Sequence, residues 1–261
     1  MKVPAIQKTV LVTGAAQGLG REICLQMAAR GWRTIVADLN KDAGRQCTQD
    51  CQQYGSDSIF VWVDLETTEG PEQMVAAALQ HFGRLDVLIN CAAHATVEPF
   101  IEMTARSWEQ TLLVNVRGIA LATAAAARQM IKQGGGRIIN ITSPASRMAL
   151  PNYAAYAASK AAVDSLTRSA AVALAAKNIQ VNSVAPGMMD TPMQVKTEAM
   201  IATIEGQTDL NAFLAVRTAR IPAGRRTTCA EVAAAVVWLA ADAPSYMTAE
   251  RLNISGGLDK D

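Results

Sequence analysis

Residues 9–38, TVLVTGAAQGLGREICLQMAARGWRTIVAD, decide how the rest of the chain must be arranged. Thr9 to Thr13 is a short apolar run rich in β-branched residues, the pattern of a buried strand. Gly14, Gly18 and Gly20 follow at once. From Arg21 to Arg30 the apolar residues Ile23, Cys24, Met27 and Ala28 recur at helical spacing, and Gly31 stands where a C-cap glycine would. Thr34 to Asp38 is a second strand ending in an acid. Strand, glycine turn, helix, strand is a βαβ unit, whose strands are parallel and whose crossover is right-handed.

Outward from this unit the alternation continues. Helices are predicted over 42–54, 71–82, 107–132, 153–177 and 231–241, and strands over 58–63, 85–90, 137–142, 179–184 and 251–254. Residues 188–223 read as a long irregular or short-helical insertion. Near-continuous apolar strands imply a parallel sheet covered on both faces. The expected fold is therefore α/β: a doubly wound, Rossmann-like, mostly parallel seven-stranded sheet with helices on both faces, a single domain over 1–261. No linker, repeat or low-complexity tract divides it.

Composition narrows the function. Half of the 261 residues are hydrophobic, 18% are charged and the formal net charge is +1. This is globular, with no block of charge to recruit nucleic acid or an anionic membrane. The five cysteines are odd in number and form no C-x-x-C, and only two histidines occur, so neither a disulfide framework nor a metal site is expected. Met1 to Lys8 lacks the apolar core of a secretory signal, and no apolar run reaches about 18 residues free of charge or glycine, so the expected location is cytoplasmic with no membrane span.

Two stretches carry chemistry. In Gly14-x-x-x-Gly18-x-Gly20 the glycines permit a tight turn and let backbone N–H groups approach a pyrophosphate at a helix N-terminus. Asp38, 18 residues after Gly20, can accept hydrogen bonds from both ribose hydroxyls of an adenosine and would repel a 2′-phosphate. That favours NAD over NADP, with Arg33 and Lys41 as contrary signals. Asp64 could face the adenine edge or simply form a turn. The second stretch is Tyr156-Ala-Ala-Ser-Lys160. One turn of helix is ~3.6 residues, so the hydroxyl and the ammonium share a face. A tyrosine ionises near pH 10; bringing it ~3 units lower to act as an acid/base at neutral pH needs about 4 kcal/mol of preference for the phenolate.

Together these pieces resemble the short-chain dehydrogenase/reductase family in its single-domain form, over nearly the whole chain. They are Thr13-Gly14 to Gly20, Asp64-Leu65, Asn90-Cys-Ala-Ala93, Asn115, Ser143, Tyr156-x-x-x-Lys160, and Pro186-Gly187 with Thr191. The resemblance implies that Tyr156 is the general acid/base, that Lys160 lowers its pKa and binds the nicotinamide ribose, that Ser143 holds the substrate oxygen, and that Asn115 positions a water in a proton relay. It implies a cofactor site of Gly14, Gln17, Gly18, Leu19, Gly20, Asp38, Leu39, Asp64, Leu65, Asn90, Ala92, Tyr156, Lys160, Pro186, Gly187 and Thr191. Ala93 departs from the family's usual glycine and adds a methyl where the backbone runs near the cofactor.

The implied activity is NAD-dependent interconversion of a secondary alcohol and a ketone. A 3-oxoacyl-thioester reductase, a non-catalytic NAD-binding regulator and a related epimerase stay open as alternatives. Residues 188–223 are expected to cover the substrate, with Ser143, His94, Asn152, Met188 and Met193 lining its pocket; sugars or polyols, acyl thioesters and steroid-like rings are all open. The alanine-rich stretches 107–132 and 153–177 suggest close helix pairing between subunits, as the family implies, in a homotetramer or homodimer.

Overall fold

The apolar β-branched runs at the centre of the sheet become strands because both of their faces are covered. In the computed structural model, which describes residues 7–259, the strands are β1 (Thr9–Thr13), β2 (Arg33–Asp38), β3 (Ser58–Trp62), β4 (Val87–Asn90), β5 (Gly136–Ile141), β6 (Ile179–Pro186) and β7 (Arg251–Ile254). They form one seven-stranded sheet in the order β3-β2-β1-β4-β5-β6-β7. All pairs are parallel, as expected. The reading of Met1 to Lys8 falls largely outside the described residues.

The helices are α1 (Gly18–Ala29), α2 (Lys41–Gln52), α3 (Gly70–Phe82), α4 (Ala105–Leu112), α5 (Ile119–Lys132), α6 (Ala154–Leu174), α7 (Pro192–Ile204), α8 (Leu210–Ala219) and α9 (Cys229–Ala241). Two apolar layers sandwich the sheet. One joins Val10, Val12 and Ile89 to α1 and α9; the other joins Leu11, Leu88 and Ile138 to α3 and α5. Strand order reverses where β1 meets β4, with Thr13 level with Asn90. Such a switch point opens a crevice at the strands' carboxyl ends, where doubly wound sheets bind ligands.

One expectation is corrected. The stretch 107–132 is not one helix: a π-helical segment, Leu113–Gly118, separates α4 from α5. Gly118 lies against Leu65, where a Cβ would stand 3.0 Å from the Leu65 Cβ and carbonyl oxygen, and the Asn115 amide is bonded to the backbone of His94. Those anchors hold the extra residue in the turn, and such bulges recur at functional sites. Residues 188–223 take the short-helical form: they fold into α7 and α8, capped by the side chains of Thr191 and Asp209. The stretch Ala105–Lys132 is also apolar and long enough to span a bilayer by length and composition, but its buried residues Ala122, Ala126 and Met130 pack on the sheet.

Candidate functional site

The carboxyl ends of β1, β4, β5 and β6 open into a cavity of about 760 Å³. Its floor at one end is the glycine turn. Gly14 and Gly18 have φ of +64° and +55°, and a Cβ on Gly14 would lie 2.7 Å from Ala92 Cα. Glycine is required there because the turn is left-handed and the next strand end leaves no room. The N–H groups of Gly18, Leu19 and Gly20 have no partner among the described residues, because the first turn of α1 lacks preceding carbonyls. They line the cavity, and with the helix dipole they suit a phosphate.

Further along the wall, the two oxygens of Asp38 each accept a backbone N–H at 2.9 Å, Oδ2 from Ala16 and Oδ1 from Asn40. The carboxylate is thereby fixed at the cavity edge, beside Gln17 and half-exposed Leu39. Lys41, a contrary signal for cofactor choice, lies over the Trp62 ring at 5.4 Å instead. Asp64 takes the turn role, accepting from Glu66 N at 2.8 Å, while it and Leu65 still line the cavity. Ala92, Pro186, Gly187 and Thr191 also line it, with Thr191 packed over Gly18. Asn90 does not: it is buried, its Nδ2 donating to Asn140 Oδ1 at 2.8 Å, and it braces β4 against β5. The geometry and donor set of this wall fit a dinucleotide.

At the other end stand the chemical groups. Ser143 follows β5 and caps a short turn through its hydroxyl, which accepts from Ala145 N at 3.2 Å. Tyr156 and Lys160 share one face of α6, with the ammonium 5.6 Å from the phenol ring centre. Lys160 is 1% exposed and donates to Ile141 O at 2.9 Å. Loss of hydration pushes Tyr156 up to about 12, against a lowering hydrogen bond from Ser143. The same loss drives Lys160 down to about 8. The expected lowering of Tyr156 by Lys160 is therefore not delivered by this chain's residues alone.

Asn115 lies in the π segment, fully buried. Its Oδ1 accepts from His94 N at 2.7 Å, and its Nδ2 donates to His94 O at 2.8 Å and Ser159 Oγ at 2.9 Å. Both amide hydrogens are committed, so the side chain acts as a brace between α6 and the loop after β4. His94 lines the cavity, and burial lowers its pKa. Cys91 lines it too, as a thiol that burial pushes up to about 12 and so makes unreactive.

A second cavity of about 190 Å³ shares Ser143, Tyr156 and Met193 with the first and runs beneath α7 and α8. Met188 and Asn152 line this one and not the first. The sequence reading did not single out Arg251, which opens β7 and donates to the Ser143 carbonyl at 3.1 Å. The signal was an arginine where a covered strand should carry an apolar residue.

Residues 8–202 match the family model described as short chain dehydrogenase. The chain is 36% identical to an acetoacetyl-CoA reductase of Acinetobacter sp. over 97% of its length and 98% of that protein's. Among solved structures it resembles NAD+-bound xylitol dehydrogenase (30% identity, TM-score 0.93, covering 97% of this chain and all 100% of that one). It also resembles an actinorhodin polyketide ketoreductase with NADPH (29% identity, TM-score 0.93, 98% of each chain).

Proposed function

The chain belongs to the short-chain dehydrogenase/reductase family, and from that premise we propose that it interconverts a secondary alcohol and a ketone using NAD, with Tyr156 as general acid/base. Membership already makes it an oxidoreductase that acts on a CH–OH group with a nicotinamide cofactor. The observation that carries the finer reading is the convergence of Ser143 and Tyr156 where the two cavities meet, with Lys160 lining the first cavity one turn along α6.

A bound nicotinamide dinucleotide supplies the hydride acceptor or donor and, when oxidised, a positive charge. The N–H groups of Gly18, Leu19 and Gly20 hold its pyrophosphate, Asp38 its adenosine ribose, and Lys160 its other ribose. Pro186, Gly187 and Thr191 orient the reacting ring. In the oxidative direction Tyr156 Oη takes the alcohol proton; in reduction it returns that proton to the carbonyl oxygen. Ser143 donates to the same oxygen and stabilises the charge that gathers on it. Lys160, already depressed toward neutrality by burial, exchanges its own proton readily. The Asn115 side chain holds α6 and the 94 loop in register, so any water relay uses backbone carbonyls of the π turn.

NAD is favoured because Asp38 is an anion already oriented by two backbone N–H groups, while Lys41 sits on Trp62. The helices over 188–223 act as a lid on the substrate. Exposed apolar groups such as Val172 on α6, 79% exposed, support burial against a second copy, in a dimer or tetramer that sedimentation would detect. A 3-oxoacyl thioester is the second substrate reading, supported by likeness to the acetoacetyl-CoA reductase.

The test is a panel of secondary alcohols, ketones and acetoacetyl-CoA with NAD(H) and NADP(H), followed by absorbance of the reduced nicotinamide. Tyr156→Phe should lose at least about a hundredfold in kcat while still quenching or shifting NADH fluorescence on binding. Turnover unaffected by Tyr156→Phe refutes the acid/base assignment; a clear preference for NADP(H) refutes the reading of Asp38.

A further inference from the structure

The second cavity has an interior with two unlike ends. One end is the Ser143 and Tyr156 hydroxyls. The middle is apolar, with Met148, Leu150, Met188 and Ile201 on its walls. The other end is polar, lined by Tyr153, Thr197 and Arg217. Tyr153 stands edge-on to Tyr156, ring centres 5.8 Å apart, so a ligand of a few carbons reaches from one end to the other.

Arg217 is a cation held in surplus. It stacks on Phe213 at 5.4 Å and donates to Glu198 Oε1 through Nε alone, at 3.3 Å. Glu198, 1% exposed, is already satisfied by Arg226, which donates to Oε2 at 2.7 Å and to Oε1 at 3.0 Å. The buried group thus holds two guanidinium ions and one carboxylate. Asp190 also pairs with Arg226, at 3.0 Å, but it is 74% exposed, so that pair is a weak one at the surface. The two terminal nitrogens of Arg217 have no partner among the described residues, although the side chain is only 19% exposed. Arg220 and Glu205, at the outer rim, are both exposed and opposite in sign, so they offset each other. A rigid, partly dry guanidinium with both terminal nitrogens open is suited to bidentate binding of a carboxylate.

We propose that Arg217 receives a carboxylate of the substrate, so that the reacting molecule is a hydroxy acid or oxo acid with an apolar ring or short chain between its two functional groups. The inference rests on the assignment of Tyr156 above. The reaction balances as that assignment has it: the carbinol C–H pair leaves to NAD+, the hydroxyl proton leaves to Tyr156, and the carboxylate is unchanged.

The test compares matched acids and neutral esters with NAD+: trans-4-hydroxycyclohexanecarboxylate against its methyl ester, and 3-hydroxybutyrate against its ethyl ester. At least one acid should exceed its ester in kcat/KM by about tenfold or more, and Arg217→Gln should lower kcat/KM for that acid by ~10–100-fold, chiefly through KM. Ester turnover and NADH binding should not change, and Arg217→Lys should recover part of the loss. Equal losses for acid and ester, a larger loss in kcat than in KM, or esters preferred by the parent enzyme would overturn the inference. Turnover restricted to neutral alcohols or to phosphorylated ones would overturn it while leaving Tyr156 in its role. Absence of turnover for every alcohol and ketone would instead remove the reading on which it stands.

Discussion

Replacing Arg251 with methionine should unsettle both the fold and the serine that faces the substrate. Arg251 begins β7 with a side chain only 9% exposed, and it meets two carboxylates that are as deeply buried, Asp164 of α6 (8%) and Asp259 (4%). The contacts are 3.5 Å from Nε to Asp164 and 2.6 Å from Nη2 to Asp259, with Nη2 also donating to the Ser143 carbonyl. Ser146 donates to the same Asp164 oxygen at 2.6 Å. Removing this cation takes the closest ion-pair partner from two carboxylates in a dry site, a change that costs about 3–5 kcal/mol. Because Arg251 Nε, Asp164 Oδ1 and Asp259 Oδ2 lack an aligned hydrogen-bond partner, the lower end, ~3 kcal/mol, is expected. For a chain of this size each kcal/mol moves Tm by roughly 2 °C, so Arg251→Met should melt about 6 °C lower. Thermal denaturation by circular dichroism reads this directly. With its carbonyl released, Ser143 should also lose position, lowering kcat while NADH affinity stays as it was. The double variant Arg251→Met with Asp164→Asn should recover part of the loss, since one stranded charge is gone. A single variant melting within about 2 °C of the parent would show that the cluster carries little net electrostatic energy.

Two further outcomes follow from the same geometry. Burial lowers Lys160 from 10.5 to about 8, so the unfolded chain binds its proton more tightly; the penalty is complete below pH 8 and is relieved as pH rises toward 10.5. The parent protein minus Lys160→Met should therefore gain about 2 kcal/mol of stability between pH 8 and 9.5. Urea denaturation at those two pH values measures it below the range where the raised Tyr156 acts in the opposite sense, and a difference that falls with pH contradicts the assignment. Gly20→Ala would put a Cβ 2.2 Å from the Gly14 carbonyl oxygen, which must move the turn; a loss of ~1–3 kcal/mol in stability and about tenfold or more in NADH affinity is expected by fluorescence titration. Gly31→Ala, at φ +78° with nothing within 4 Å, should cost stability without touching NADH affinity, and equal effects of the two would exclude the steric account.

Most of the sheet was legible in residues 9–38 and the repeats of their pattern, and its strand limits fell within a few residues of those read. Helices were less exact where long-range contacts intervened: Gly118 against Leu65 and Asn115 against His94 impose the π turn, and neither contact leaves a local mark. The insertion over 188–223 was left between irregular and short-helical because its two helices are held together by ion pairs among Glu198, Arg217 and Arg226, which no local pattern marks. Asn90 shows the converse case. The family resemblance placed it at the cofactor through the Asn90-Cys-Ala-Ala93 motif, whereas its side-chain amide donates to Asn140.

The sequence by itself determined the βαβ alternation, the glycine turn, the acid at the end of β2 and the shared helical face of Tyr156 and Lys160, because each depends on residues within one or two turns or strands of each other. Only the tertiary structure decided the sign of the pKa changes at Tyr156 and Lys160, the partner of Ser143 on β7, and the open guanidinium of Arg217. Those depend on how much water is excluded and which charges meet, quantities set by residues up to 108 positions apart that approach one another only once the sheet has closed.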